Sequence, residues 1–473
     1  MPQPPEPRPL LHFAPQSGWI NDPNGLLYFD GEYHLFYQHH PQEIVWGPMH
    51  WGHAISTDLV RWQELPIALA PDAEGAIFSG SAVVDPQDRA GFGEEAMIAI
   101  FTQDRPGRQA QSLAWSHDHG RSWMVYPHNP VLPPPAGIVD FRDPKVFWYQ
   151  GATGGHWVML LAVGLSIWFY RSADLKQWVK TSEFSGYGMA QLVWETPDLR
   201  ELPIAGSDET QWMLVVSVPQ GAPAGGSGTQ YFLGSFDGEQ FVCIDPPEVV
   251  RWADHGADFY AAQLWNDAPH QQHVWVAWMN NWNYANHIPA TTWRGMMTLP
   301  RTLQLVREHD RVVLVQQPVA LAAATPPSRW ADQVITAGQP LELGRARVFD
   351  LLLQLNLAES QAHSFELALR ACPDSQATLR YDCASQELTI DRTTVFPDLP
   401  KAATRHGILV APRAGMLDLR IIVDTASVEI FVNGGRITLS DQIFPDPSAD
   451  GLYLSARGGQ LLVASAELAV IAA

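Results

Sequence analysis

The chain has 473 residues, 46% hydrophobic and 17% charged, a globular composition too long for one ordinary core, so two domains are expected. Its 29 basic and 50 acidic residues leave a net charge of -21, which argues against nucleic acid or an anionic membrane surface as partner and is indifferent to a neutral ligand. No apolar run approaches the roughly 20 residues of a membrane span. Cys243, Cys372 and Cys383 are too few for a disulfide framework. The Met-Pro-Gln-Pro-Pro opening lacks the basic and apolar regions of a secretory leader, so the chain reads as cytoplasmic, or as secreted or periplasmic if a leader was removed.

From residue 12 onward the sequence is a succession of short β-type runs broken by turn signals, among them 32–37, 157–163, 212–218 and 274–279. The 36 glycines and 38 prolines suit many strands and tight turns, and convincing amphipathic helices are absent. Asp22, Ser79, Asp143, Glu195 and Asp258 recur at intervals of 57, 64, 52 and 63 residues. A Ser-x-Asp pattern followed by an aromatic runs in phase with them, at Ser56/Asp58/Trp62, Ser116/Asp118/Trp123, Ser172/Asp174/Trp178 and Ser235/Asp237/Phe241. A period of about 60 residues is too long for a solenoid helix pair and suits a four-stranded antiparallel blade, so the expectation is a five-bladed β-propeller over residues 1–318. Equivalent positions of successive blades face one axis, which would gather residues distant in sequence into one funnel.

Residues 319–330, with Pro326 and Pro327, read as a linker. Beyond them tryptophan nearly vanishes and alternation strengthens, as at 417–423 and 427–432, before the turn Asn433-Gly434-Gly435. Strand after strand without helical crossovers predicts a β-sandwich over 331–473, giving an all-β chain of propeller followed by sandwich. The sandwich carries no obvious catalytic cluster and reads as a domain that packs against the propeller rather than as a carbohydrate-binding module.

The first functional cluster is Trp19-Ile-Asn21-Asp22-Pro-Asn-Gly25, a turn former whose following hairpin would hold Asp22 at the head of an inner strand, with Gln38 and Trp46 nearby. Phe78-Ser79-Gly80-Ser81 offers a hydroxyl where small residues allow close approach, although an ordinary turn has the same composition. Asp140-Phe-Arg142-Asp143-Pro pairs a guanidinium with a carboxylate, as a plain surface ion pair would also do. Glu195 sits between Trp194 and Leu199 in sequence, where burial near other carboxylates would raise its pKa and hold a proton for donation. Asp258 and Tyr260 either reach the funnel floor or close the last blade. Three carboxylates in a tryptophan-lined funnel are what glycoside hydrolysis uses: one ionised to attack or stabilise the anomeric carbon, one protonated for the leaving oxygen, and further negative charge for an oxocarbenium-like transition state. Most of the 19 tryptophans are expected to be packing residues. The clustered His39, His40, His50, His53, His117 and His119 lack metal-ligand spacing, so no metal site is read. The glycine-rich run 221–228 lacks the Lys-Ser/Thr and helix of a phosphate loop.

Taken together, Trp19-Ile-Asn-Asp-Pro-Asn-Gly25, Trp51-Gly-His53, Phe78-Ser-Gly-Ser81, Phe141-Arg-Asp-Pro144, Trp194-Glu-Thr-Pro-Asp198, Gly256-Ala-Asp-Phe-Tyr-Ala261 and Trp293-Arg-Gly-Met-Met-Thr-Leu-Pro-Arg301 resemble glycoside hydrolase family 32, in order and over essentially the whole chain. Residues 278–286 and 226–232 are more similar to exo-acting levanases and exo-inulinases than to bacterial sucrose-specific members. The resemblance implies a retaining fructosidase with Asp22 as nucleophile, Glu195 as general acid/base and Asp143 as transition-state stabiliser. Asn21, Gln38, Trp46, Ser79, Arg142 and Trp282 would line the terminal fructose subsite, with Trp19, Phe78, Asp258 and Tyr260 as further substrate-binding candidates. No cofactor is implied, and the partner is a fructan or sucrose. A fructosyltransferase, a sucrose-preferring invertase and a catalytically silent fructan-binding propeller are the alternatives, and the oligomeric state stays open, a homo-oligomer included. Thr196 departs from the family, which usually has Cys after the acid/base Glu.

Overall fold

The computed structural model describes residues 8–471 apart from 153, 397, 398 and 400; residues 1–7, on which the reading of an absent leader rests, lie outside the described residues. Five antiparallel sheets follow one another around an axis, each running from an inner to an outer strand. The first comprises Gly18–Phe29, Glu32–His40, His50–Ser56 and Gln63–Leu69. The second comprises Ala76–Asp85, Ala96–Arg105, Arg108–Ser116 and the short Met124–Val125. The third is Arg142–Gly151, Gly154–Val163, Ser166–Ser172 and Val179–Ser185, and the fourth Glu195–Pro203, Thr210–Val218, Gly228–Phe236 and Phe241–Cys243. The fifth is Tyr260–Leu264, Val274–Trp278, Arg301–Glu308 and Arg311–Pro318. The ring closes where Trp293–Arg294 pairs in parallel with Gly18 and Trp19 of the first blade. The protein is thus a five-bladed propeller followed by a β-sandwich.

Central blade strands are covered on both faces by neighbouring blades, which is why Ala96–Arg105 and Gly154–Val163 read as apolar runs rather than as alternation. One interblade core sets Val83, Ile98, Ile100 and Leu113 against Phe141, Val146, Met159 and Leu161. Outer strands face solvent, and Val179–Ser185 is mostly exposed or half-buried. The in-phase Ser-x-Asp pattern builds the turn between third and fourth strands. Ser116 Oγ accepts the backbone N–H groups of Asp118 and Gly120, Asp118 accepts that of Ser122, and Trp123 folds back to donate to Gly120 O at 3.0 Å. Ser56 and Ser172 do the same in the first and third blades, and Asp237 alone caps the turn of the fourth, so it is a scaffold device.

What aims the funnel is a break in pairing at the head of every inner strand. Register shifts fall between Ile20 and Pro23, Ile77 and Gly80, Glu195 and Asp198, and Tyr260 and Gln263, and opposite Arg142 to Lys145 in the third blade. A bulge bends its strand and redirects a side chain. Three of these breaks carry a non-glycine residue with positive φ, Asp143 at 62°, Thr196 at 48° and Ala261 at 55°. Such conformations cost on the order of 1–3 kcal/mol each and persist where the surroundings over-determine them.

The sandwich packs two six-stranded sheets. One runs in the order Ser328–Thr336, Gln460–Val470, Phe349–Asn356, Met416–Val423, Ser427–Val432 and Ile437–Gln442; its partner contains Leu341–Arg345, Gly451–Arg457, Ser364–Cys372, Ser375–Asp382, Glu387–Asp391 and Arg405–Leu409. The first strand of the sandwich therefore begins within the 319–330 stretch. Buried charges join the two domains. Arg301 donates to Asp254 and Glu429 with all three side chains at 0% exposure, Glu429 also meets His12, and Arg392 of the sandwich donates to Asp258 at 2.6 Å. No described helix is long and apolar enough to cross a membrane.

Candidate active site

A cavity of about 330 Å³ opens on the propeller axis, lined by Asn21, Asp22, Gln38, Trp46, Phe78, Ser79, Arg142, Asp143, Glu195, Pro219, Tyr260 and Trp282. Larger depressions exist, one of 590 Å³ on the sandwich and one of 480 Å³ at the opposite propeller mouth, but neither gathers carboxylates in this way. All five blades contribute, and Asn21, Asp22, Phe78, Ser79, Arg142, Asp143 and Glu195 sit on or beside the strand breaks described above.

Asp22 is 8% exposed. Its Oδ2 accepts from Ser79 Oγ at 2.7 Å, while Oδ1 is buried without a protein partner among the described residues. Asn24 locks the local backbone by donating to Asp22 O at 2.8 Å and accepting Gly80 N–H at 3.0 Å, so the first two blades are tied directly beneath the carboxylate. Gly80 has no room for a side chain, since a Cβ there would lie 2.1 Å from Ile100 O. Burial pushes the Asp22 carboxyl up to about 6, the Ser79 bond pulls it down, and the Glu195 charge adds to the rise.

Asp143, 6% exposed, accepts Thr196 N–H at 2.9 Å and donates its own N–H to Thr102 Oγ1 at 3.0 Å. Burial raises it to about 7 against the pull of Arg142, with Asp22 and Glu195 adding to the rise. Arg142 bridges the cluster, donating to Asp140 at 2.5 Å and to Glu195 Oε1 at 2.8 Å, with its Nε 3.9 Å from Asp143. Although burial disfavours its charge, Asp143 and Glu195 drive its pKa upward. The buried Tyr260 hydroxyl donates to Glu195 Oε2, and burial together with the Glu195 charge lifts the phenol well above its ordinary value.

Burial is distributed differently from the sequence expectation, which gave Glu195 the apolar environment. The Glu195 side chain is 23% exposed, and the two carboxyls driven up by burial are Asp22 and Asp143. Trp194 and Leu199, the apolar neighbours in sequence, point instead into the core between the third and fourth blades.

The aromatic wall is layered. Trp282 lines the cavity, stacked on Trp19 at 6.1 Å and 25° and tilted against Trp278 at 4.7 Å. Trp19 is fully buried behind it and donates to Asn21 Oδ1 at 2.9 Å, so it supports the lining without forming it. Trp46, 47% exposed, stands at the rim edge-on to Phe78. The glycine-rich 221–228 run grips the Trp282 loop. Asn281 donates to Gly225 O and Ala257 O, Ser227 Oγ accepts Trp282 N–H, and a Cβ at Gly226 would lie 2.0 Å from Asn281 Oδ1.

Besides Trp19, which stands behind the wall, one further candidate is not brought to the cavity. Asp258 is fully buried at the domain interface, accepting from Tyr284 OH at 2.5 Å, Arg392 and the backbone of Gln442. Tyr260, two residues on, takes the fifth-blade position. Sequence reasoning did not single out Pro219, which no local pattern marks, nor Thr102, Asn24 and Asp140 as supports of the carboxylates.

Convergent buried carboxylates, a bridging guanidinium and an aromatic wall at one mouth of a propeller define a glycoside hydrolase. Residues 12–318 match the Glycosyl hydrolases family 32 N-terminal domain and residues 321–470 the family's C-terminal domain, and the chain belongs to that family. It is 44% identical over 472 residues to a levanase of Bacillus subtilis (strain 168), covering 97% of this chain and 69% of that protein. It is 38% identical to an extracellular exo-inulinase of Aspergillus niger, covering 96% and 92% respectively. A crystal structure of exo-inulinase from Aspergillus awamori superimposes with a TM-score of 0.93 at 35% identity, covering 99% of each chain.

Proposed function

We propose that the protein is a retaining exo-β-fructosidase that releases terminal β-D-fructofuranosyl units from levan- or inulin-type fructans and from sucrose. The observation that carries this reading is the meeting of Asp22, Asp143 and Glu195 in one cavity bridged by Arg142. Asp22 acts as the nucleophile. Its Oδ2 is held by Ser79 and its Oδ1 has no protein partner among the described residues, which leaves that oxygen for the anomeric carbon. Glu195 delivers a proton to the leaving oxygen and then takes one from the water that hydrolyses the fructosyl-Asp22 ester. Retention by this route requires the two carboxyls to work at about 5–5.5 Å. Asp143 and Arg142 hold ring hydroxyls and spread the charge of the transition state.

Exo action is supported by what lies under the cavity. Gln263 donates to Thr196 O, and below it Lys145 pairs with Asp198 at 2.8 Å and donates to Leu264 O, all at 7% exposure or less. A floor of satisfied buried groups makes the cavity a blind funnel, which suits a chain end, whereas endo-cleavage would need an open groove across the propeller face. The sparse cysteines favour a reducing compartment, whereas the exo-inulinase relatives are named extracellular, and fractionation of the native host decides between them. The function is tested by a product time course on levan, inulin, sucrose and raffinose. Fructose as the only sugar released from the polymers is expected; early oligosaccharides overturn exo-hydrolysis.

A further inference from the structure

The sandwich carries a groove of about 590 Å³, with no residue in common with the catalytic cavity. Its floor is the outer face of the sheet that contains Phe349–Asn356. Two cross-strand rows lie there, Glu467, Leu352 and Arg420 in one, and Ser465, Gln354 and Asp418 in the next. Gln317, on the outermost strand of the fifth blade, donates to Gly434 O at 2.6 Å and forms the opposite wall with the Gly434 turn.

The chemistry of the rows restricts the occupant. The charges are matched internally: Arg420 binds both oxygens of Asp350 through Nε and Nη2, and Arg329 binds Glu467 at 2.8 Å. An ionic ligand therefore gains little. Leu352, 45% exposed, is the one large apolar side chain open on the floor, too small a patch for a protein partner. What remains is a set of planar donors and acceptors. Gln354 donates to Asp418 at 2.9 Å and keeps its amide oxygen as an acceptor, and Arg420 Nη1 makes no protein hydrogen bond among the described residues. Alternating fixed donors and acceptors around one apolar spot suit vicinal hydroxyls and the C–H face of a neutral sugar.

We propose that this groove is a second carbohydrate site that holds an internal segment of polymeric fructan, a proposal that rests on the fructosidase reading of the catalytic cavity. Holding the polymer at the sandwich raises the concentration of chain ends at the propeller without a new contact in the catalytic cavity. Small substrates, which cannot reach both places, gain nothing.

The test uses the full chain with Gln354→Ala and Asp418→Ala combined, and separately Leu352→Ala, each checked for an unchanged melting transition. In gels containing levan or inulin, chains that also carry Asp22→Asn leave the polymer uncut and report binding alone. The groove variants are expected to lose most of the retardation shown by Asp22→Asn. In the active background KM for the polymer rises about 10-fold, while kcat/KM for sucrose stays within about two-fold, a gap that avidity supplies and fold damage does not. Unchanged polymer KM and unchanged retardation in folded variants overturn the proposal. So does a parent that sediments as a dimer, with variants that become monomeric and still bind polymer, since the groove is then a contact between copies. Failure of the parent to release fructose from any substrate instead removes the reading of the catalytic cavity.

Discussion

Removing the Ser79 hydroxyl isolates the electrostatics of the nucleophile. Ser79 Oγ donates to Asp22 Oδ2 at 2.7 Å within a site where burial already holds that carboxyl at about 6. A hydrogen bond to a charged group is worth about 1.5–3 kcal/mol. At 1.36 kcal/mol per pKa unit, Ser79→Ala is expected to lift Asp22 from about 6 to about 7 or 8. The sign follows from the chemistry. Attack needs the ionised carboxylate, so the acid limb of kcat/KM tracks Asp22 and moves upward, costing about 10-fold relative to the parent at pH 6, a deficit that closes as the pH rises above the shifted limb. The assay is a kcat/KM profile for sucrose from pH 4 to pH 9 on parent and variant, with thermal melts to verify folding. A uniform loss at every pH means that Ser79 acts only on substrate. An acid limb that stays put or moves down refutes the reasoning.

Asp22→Asn is expected to abolish turnover with an unchanged melt, and parent-like rates in that variant would discard the mechanism. Glu195→Ala should slow substrates with poor leaving groups far more than aryl fructosides, because an activated leaving group needs little proton donation; equal losses on both kinds count against the acid role. His12 tests the domain interface. Burial opposes its charge, but Asp424 and Glu429 outweigh burial and hold its pKa at about 9 against an ordinary 6.5. The resulting stability is fully present below pH 6.5 and disappears as pH rises through about 9, on the order of 3 kcal/mol. Urea denaturation at pH 6.5 and pH 9.5 should show that drop, and His12→Gln should flatten it. Arg301→Met strands Asp254 and Glu429 in the interface and is expected to cost about 3–5 kcal/mol by the same measurement.

The fold was readable because two devices recur along the propeller, the Ser-x-Asp turn in the first four blades and the polar residue at the head of the inner strand. The Ser-x-Asp turn and the polar residue at the head of the inner strand are local, short-range patterns, and each appears at nearly one spacing. The same regularity misled at the fifth blade. Asp258 keeps the period, yet its partner is Arg392, 134 residues later and in the other domain, and no local pattern announces that pairing. Burial was also illegible at Glu195. Its sequence neighbours are apolar, but Trp194 packs into the core, and the break in pairing between Glu195 and Asp198 leaves the carboxylate at the cavity mouth. Trp19 illustrates the complementary case, a motif residue that acts from behind the wall through Asn21 and Trp282. Thr196 shows why its position matters: it adopts a positive φ, donates its N–H to Asp143, and buries a hydroxyl with no partner among the described residues.

The central claim is that fructose passes through a covalent bond to Asp22. Glu195→Ala removes the group that activates water, so an aryl fructoside should load the nucleophile faster than the ester is hydrolysed. Mass spectrometry of the quenched, digested protein is predicted to find one added fructosyl unit on the peptide that contains Asp22. The same label on the peptide containing Asp143, or inverted fructose released with no adduct at any time point, would contradict it.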